Sequence, residues 1–264
     1  FNFSAGPAAL PLPALQEAQR NLLVLPGAGA SVMEISHRSK QFAAVIEKAE
    51  ANFRKLLGLP EQYHILFLQG GASLQFSMIP MNFLRGAGKA ADYIMTGSWA
   101  SKAAAEAKKE GAVNPAWDGK AENYVRMPSQ SELKLSPDAA YVHMTSNETI
   151  QGTEFAYTPD TGNVPLVCDA SSDILSQPIP VEKFGIIYAG AQKNIGPSGT
   201  AVVFMRDDLL ARVPEGLHSM LDYKKHVENK SLYNTPSCFT IYVIQLVTDW
   251  LLDEIGGLKK MAAI

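Results

Sequence analysis

Gly185-Ile186-Ile187-Tyr188-Ala189-Gly190-Ala191-Gln192-Lys193-Asn194-Ile195-Gly196-Pro197 is the stretch that decides the fold. Its first five residues are a short, continuous apolar run, the pattern of a strand buried on both faces. The run ends in small residues and then a lysine, and residues 200–205 read as a further strand returning from the glycine-rich turn. Working outward, the same unit recurs. Residues 164–168 form a buried strand ending on Asp169, and 141–145 a strand ending at Asn147-Glu148-Thr149. Residues 92–95 lead to Gly97-Ser98-Trp99, and 64–68 run into Gln69-Gly70-Gly71.

Helical patterns lie between these strands. Over residues 39–57, Phe42, Ile46, Ala49, Phe53, Leu56 and Leu57 recur at helical spacing, with Gly58 as a stop. Residues 74–84 read as a helix that Pro80 kinks or shortens. Residues 100–110 form an Ala/Lys-rich helix stopped by Gly111. Thr235-Pro236 opens a long apolar helix to Glu254, with Gly256-Gly257 after it. Residues 111–136 are polar, contain two prolines and read as surface loop. Strands and helices in alternation predict an α/β fold: a mostly parallel central sheet with helices on both faces. Ligands of such sheets bind beyond the carboxyl ends of the strands. Gly70, Trp99, Thr149, Asp169 and Lys193 all fall at such ends.

Composition narrows the function classes. The 264 residues are 47% hydrophobic and 19% charged, with a net charge of -3, as in an ordinary globular protein. No basic excess points to nucleic acid. The longest apolar runs, such as 241–244, are far short of a membrane span. The opening residues lack the charged start and apolar core of a signal peptide, so the expected location is cytoplasmic. The first residue is not Met, so a short preceding piece is expected. Cys168 and Cys238 read as reduced packing residues. His64, His143, His218 and His226 have no metal-ligand spacing, and no metal site is expected.

Five places could carry chemistry. Lys193, just past a buried strand and flanked by small residues, can project into a pocket where desolvation lowers its pKa and makes the amine nucleophilic. A solvated loop lysine is the alternative. Asp169 ends a buried strand, where a carboxylate is costly unless paired. It suits the acid that keeps a pyridinium nitrogen protonated, or else a helix N-cap beside Ser171 and Ser172. Gly70-Gly71-Ala72-Ser73, between strand and helix, fits a phosphate cradle or merely a turn. Trp99 could stack on a flat cofactor or fill the core. His37-Arg38 precedes the first long helix, and Arg38 can grip a carboxylate or phosphate bidentately, or make a surface ion pair.

Read together, several segments resemble the phosphoserine aminotransferase family, which uses pyridoxal 5'-phosphate (PLP) and belongs to the aspartate aminotransferase superfamily, fold type I. They are residues 1–7 (Phe1 to Pro7), Ser31 to Arg38, Asn147 to Gly152, Asp169-Ala170-Ser171-Ser172, Tyr188 to Pro197, and Tyr233-Asn234-Thr235-Pro236, and they run in family order over nearly the whole chain. The resemblance implies that Lys193 forms the Schiff base with PLP and shuttles the proton. Asp169 would pair with the pyridinium nitrogen, Trp99 would stack on the ring, and Thr149 would bond the phenolic oxygen. Ala72, Ser73 and Gln192 would hold the phosphate, with Asn234 and Thr235 reaching in from the partner of a homodimer. His37 and Arg38 would receive the acidic group of the substrate.

The implied reaction moves the amino group of glutamate to 3-phosphohydroxypyruvate in serine biosynthesis, with a related four-carbon substrate in pyridoxine biosynthesis. Some family members carry an arginine where this chain has Ser73, which leaves His37 and Arg38 more of the anion binding. The implied organisation is an N-terminal arm over 1–15, a large PLP-binding domain over 16–257, and the start of a connection over 258–264. A small C-terminal domain would begin where this chain stops, so a fragment is expected. Two other functions stay open: another PLP chemistry on this scaffold, such as a desulfurase or an alanine/serine–glyoxylate transaminase, or a non-catalytic dimer of the same fold. Within one chain, Thr235 could equally be an ordinary helix N-cap.

Overall fold

The computed structural model describes residues 6–264. The expected arm over 1–15 therefore lies partly outside the described residues. Seven strands make one sheet: β1 (Tyr63–Leu68), β2 (Ala91–Met95), β3 (Val113–Asp118), β4 (Val142–Thr145), β7 (Leu166–Asp169), β8 (Phe184–Gly190) and β9 (Ala201–Arg206). Between β4 and β7 a two-stranded hairpin, β5 (Asn147–Glu148) and β6 (Thr153–Glu154), stands apart. The sheet order is β1-β9-β8-β7-β4-β2-β3. Its pairs are parallel from β8 through β3, and β9 alone runs against its neighbours β8 and β1. The mostly parallel sheet is thus as expected.

Register aligns the strand ends. Thr145 pairs with Asp169, and Asp169 with Tyr188. Gly190 and Leu68 both pair with Ala201. The carboxyl ends of β1, β2, β4, β7 and β8 therefore share one edge, and the side chains of this edge alternate between two apolar layers with a two-residue period. On one face, Phe42 and Phe53 of α2 (Lys40–Leu57) and Ile241 of α6 (Cys238–Trp250) pack with Ile187 and Phe204. On the other, Phe76 and Ile79 of α3 (Gly71–Phe83) and Ala103 and Ala104 of α4 (Ser98–Ala107) pack with Val167, Ile186 and Val203. Val167 faces α3 and α4, so the two-residue period puts Asp169 on that face too.

The long helix α2 forms as its sequence predicts. Ser39 caps it by accepting a bond from the Phe42 N–H at 3.2 Å, and Gly58 ends it in the left-handed region at φ 63°. Elsewhere the local pattern misled at the ends. α3 begins at Gly71 rather than 74, because Gly70 at φ 86° turns the chain directly off β1. It passes through Pro80, which lacks an N–H, and stops three residues later at Phe83. α4 starts at Ser98, two residues before the expected 100, and ends at Ala107.

α6 starts at Cys238, with Ser237 before it, so Thr235-Pro236 is not its cap. The helix continues as a π turn, Leu251–Ile255. The stretch 111–136, read as loop, contains edge strand β3. Its exposed, polar residues hide the strand pattern, and Pro115 is tolerated at an edge beside the register shift between Tyr93 and Ile94. The stretch 218–233 lies between β9 and α6. It contains α5 (Tyr223–Glu228), and the buried Tyr223 donates its hydroxyl to Gln75 of α3 at 2.5 Å. The boundary drawn between 15 and 16 falls inside α1 (Leu12–Arg20), whose Ala14 and Ala18 pack on Val243 and Val247 of α6. No helix among the described residues is long and apolar enough to cross a membrane.

Candidate active site

The shared strand edge opens onto a cavity of about 150 Å³ lined by residues from several elements. Lys193 and Gln192 enter it from the turn after β8, Asp169, Ser171 and Ser172 from the end of β7 and the turn after it, Thr145 from the end of β4, and Asn147 from β5. Gly71, Ala72, Ser73 and Phe76 come from the first turns of α3, and Trp99 from the first turn of α4. Six expected residues thus meet here: Ala72, Ser73, Trp99, Asp169, Gln192 and Lys193. Thr149 joins them through a hydrogen bond, since the Lys193 ammonium donates to its hydroxyl.

Charge at this edge is controlled by burial. Desolvation lowers the pKa of Lys193, while the carboxylates of Asp169, Asp173 and Glu148 oppose that fall. Asp169 is 4% exposed, and burial raises its pKa against two bonds from Ser171. Both bonds go to Oδ1, from the Ser171 N–H at 3.0 Å and its hydroxyl at 2.5 Å. The Ser171 hydroxyl also accepts from the Gly190 N–H at 3.0 Å, which ties the acid to the strand that carries Lys193. Asp169 thereby braces the turn after β7 and lines the cavity; no helix begins there, so it is not the helix N-cap that its serine neighbours suggested.

Within the sheet, Tyr188 of β8 and His143 of β4 form a buried polar pair. Tyr188 shares a 2.8 Å bond with His143 Nε2, and burial pushes His143 down to about 3. The His143 ring stacks on Tyr93 with centroids 4.7 Å apart.

The cavity wall is short of partners. Thr145 Oγ1 and Trp99 Nε1 are buried without a hydrogen bond, and both residues line the cavity. Asp169 Oδ2 accepts no bond among the described residues. Such orphaned polar groups are costly unless a ligand completes them. At one end α3 presents its first N–H groups, which have no intrahelical acceptors. A flat, anionic group with a cationic ring nitrogen fits this set: a carboxylate for the nitrogen, an indole for the ring, a helix N-terminus for a phosphate.

The remaining expected residues lie outside the cavity within this chain. Asn234 Nδ2 donates to Gln69 Oε1 at 2.8 Å, and Gln69 Nε2 donates to the Thr235 carbonyl at 2.8 Å, beside the end of β1. His37 is half-buried, with Nε2 unpartnered and its pKa lowered by burial and by Arg38. Arg38 is exposed and makes no ion pair among the described residues. The sequence reading missed Thr145, Ser171 and Glu148. Register was the signal for Thr145, because it sits opposite Asp169 at the end of the adjacent strand.

The profile of the family Aminotransferase class-V matches residues 1–264. Phosphoserine aminotransferase of Rhodopirellula baltica is 52% identical over 265 residues, covering 100% of this chain and 70% of its own. That of Azotobacter vinelandii is 54% identical over 262 residues, covering 99% and 72%. Among solved structures, phosphoserine aminotransferase from Bacillus circulans subsp. alkalophilus superposes with a TM-score of 0.96 at 52% identity, covering 99% of this chain and 72% of that one. The PLP-bound phosphoserine aminotransferase of Trichomonas vaginalis gives 0.92 at 44% identity, covering 100% and 78%. This chain belongs to the phosphoserine aminotransferase family of class-V aminotransferases.

Proposed function

We propose that this chain, as a PLP-dependent enzyme, transfers the amino group of L-glutamate to 3-phosphohydroxypyruvate, giving O-phospho-L-serine and 2-oxoglutarate. The observation that carries the reading is the meeting of Lys193, Asp169, Trp99 and the α3 N-terminus around one cavity with unpaired polar walls. When bound, PLP supplies an aldehyde that takes up the amino group and a ring that stabilises negative charge at the substrate α-carbon. Lys193 would anchor the cofactor through Nζ, and the same Nζ would carry the proton at the substrate α-carbon. Burial favours this by lowering its pKa towards that of a working base. Asp169 holds the proton on the ring nitrogen. Trp99 would stack on the ring, and Thr149 would bond the phenolic oxygen.

Ala72, Ser73 and Gln192 take the phosphate, joined by Asn234 and Thr235 of the second chain in a homodimer with shared sites. His37 and Arg38 bind the acidic group of the substrate, which favours a phosphorylated or dicarboxylic substrate over alanine. The same anion preference extends to the four-carbon phosphohydroxy oxo acid of pyridoxine biosynthesis. A cytoplasmic location fits both pathways, and the PLP-binding domain, expected over 16–257, also takes in the start of α1, which packs on α6.

Two measurements test this. Lys193→Ala should abolish covalent retention of PLP and transamination of phosphoserine, and turnover near the normal rate would overturn the role of the lysine. Mixing Lys193→Ala chains with Asn234→Ala/Thr235→Ala chains under limiting PLP should restore one intact site per dimer. No recovery would place the phosphate contact within one chain.

A further inference from the structure

The helix α4 that carries Trp99 has no cap of its own. Its N-cap position is Gly97, which has no side chain to accept from the first N–H groups. The acceptors come from about fifty residues further along the chain. Glu148, fully buried on β5, accepts from the Trp99 N–H through Oε2 at 3.0 Å and from the Ala100 N–H through Oε1 at 2.8 Å. Gln151 completes the set: its Oε1 accepts from the Ser98 N–H at 3.2 Å, and its Nε2 donates to the Ser98 hydroxyl at 2.8 Å. Gly97 is what permits the approach, since a Cβ there would lie 2.5 Å from Glu148 Cδ and 2.6 Å from Gln151 Oε1.

Glu148 is also bonded in sequence to Thr149, the hydroxyl that accepts from Lys193. Thr149 in turn donates to Ser172 at 3.1 Å, and Ser172 donates to the Asn147 carbonyl at 3.0 Å. One short hairpin therefore holds the indole wall with a side chain and the partner of the lysine with its next residue.

We infer that Glu148 is a positioning residue: its carboxylate, acting as a remote cap of α4, sets the Trp99 indole in the wall of the cavity that Lys193 also lines. The inference rests on the proposed roles of Trp99 and Lys193 at the cofactor. A carboxylate suits the task because each oxygen accepts one N–H at the positive end of a helix. Glutamine at this position offers a single oxygen, and its amide NH₂ faces the second N–H.

The test uses the full chain in a Trp117→Phe/Trp250→Phe background, which leaves Trp99 as the only indole. Two quantities are read for Glu148→Gln and Glu148→Ala: the PLP dissociation constant by dialysis, and acrylamide quenching of Trp99 fluorescence in PLP-free protein. Glu148→Ala should weaken PLP by about tenfold, equivalent to about 1.4 kcal/mol, and raise the quenching of Trp99. Glu148→Gln, which keeps the shape and one acceptor, should fall between it and the parent in both readings. Both variants within about twofold of the parent would overturn the inference. So would a loss of melting temperature with unchanged Trp99 quenching, which marks a merely structural role. Lys193→Ala in the same background separates the two readings. Retained covalent PLP there would sink the lysine assignment, while the order of the Glu148 variants in PLP-free quenching is read without reference to it.

Discussion

Asp173 sits in the turn after β7, close enough to Asp169, Glu154 and Lys193 to feel their charges, and it accepts from the Ser146 hydroxyl at 2.6 Å. Burial, opposed by that bond and reinforced by Glu154 and Asp169, pushes its carboxyl from 3.8 up to about 6. A carboxyl whose folded pKa is raised contributes stability at low pH that is lost as pH rises through the folded value. The window here is from about 4 to about 6. Each tenfold change in proton affinity is worth about 1.4 kcal/mol, so the charged form costs the fold about 3 kcal/mol above that window.

Asp173→Asn removes the charge and keeps an oxygen for Ser146, whose bond to the carboxylate already holds the raised value down. The variant should therefore be more stable than the parent by about 3 kcal/mol at pH 8, or about 6–12 °C in melting temperature. At pH 4 the gain should vanish. Thermal unfolding followed by circular dichroism at pH 4, 6 and 8 measures it. An equal difference at all three pH values, or a less stable variant at pH 8, would refute the reasoning.

Further outcomes follow from the same geometry. Asp169→Asn should weaken PLP by about tenfold or more, since a charged hydrogen bond worth about 1.5–3 kcal/mol is lost. The apo protein should at the same time gain stability above neutral pH, because the buried carboxylate is removed; unchanged dialysis constants would contradict the pairing role. Gly97→Ala should cost about 1–3 kcal/mol in urea unfolding. Its φ of 174° is ordinary extended backbone, so the penalty comes from the collision with the bonded Glu148, and a neutral result would mean that the clamp yields freely. Phe53→Ala, at a fully buried ring 5.3 Å from Phe204, should cost about 3–5 kcal/mol without altering the PLP constant of the protein that remains folded.

Where the signals were local, the sequence alone determined the outcome. α2 was legible because its apolar period and its Gly58 stop lie within twenty residues and agree. β7 and β8 were legible because a strand covered on both faces must be continuously apolar. The two chemical groups at their ends, Asp169 and Lys193, stand out as polar residues directly after such runs. β3 was hidden because an edge strand need bury little, so its polar residues and Pro115 imitate a loop. The start of α6 was misplaced because Pro236 is equally compatible with a first turn and with the residue before a cap. Tertiary structure alone decided which strand ends are neighbours. Register placed the unremarked Thr145 beside Asp169, the fold brought Glu148 to the bare end of α4, and Asn234 and Thr235 came to rest on Gln69 rather than in the cavity. These are contacts between segments distant along the chain, set by sheet order and packing, and no local pattern of residues encodes them.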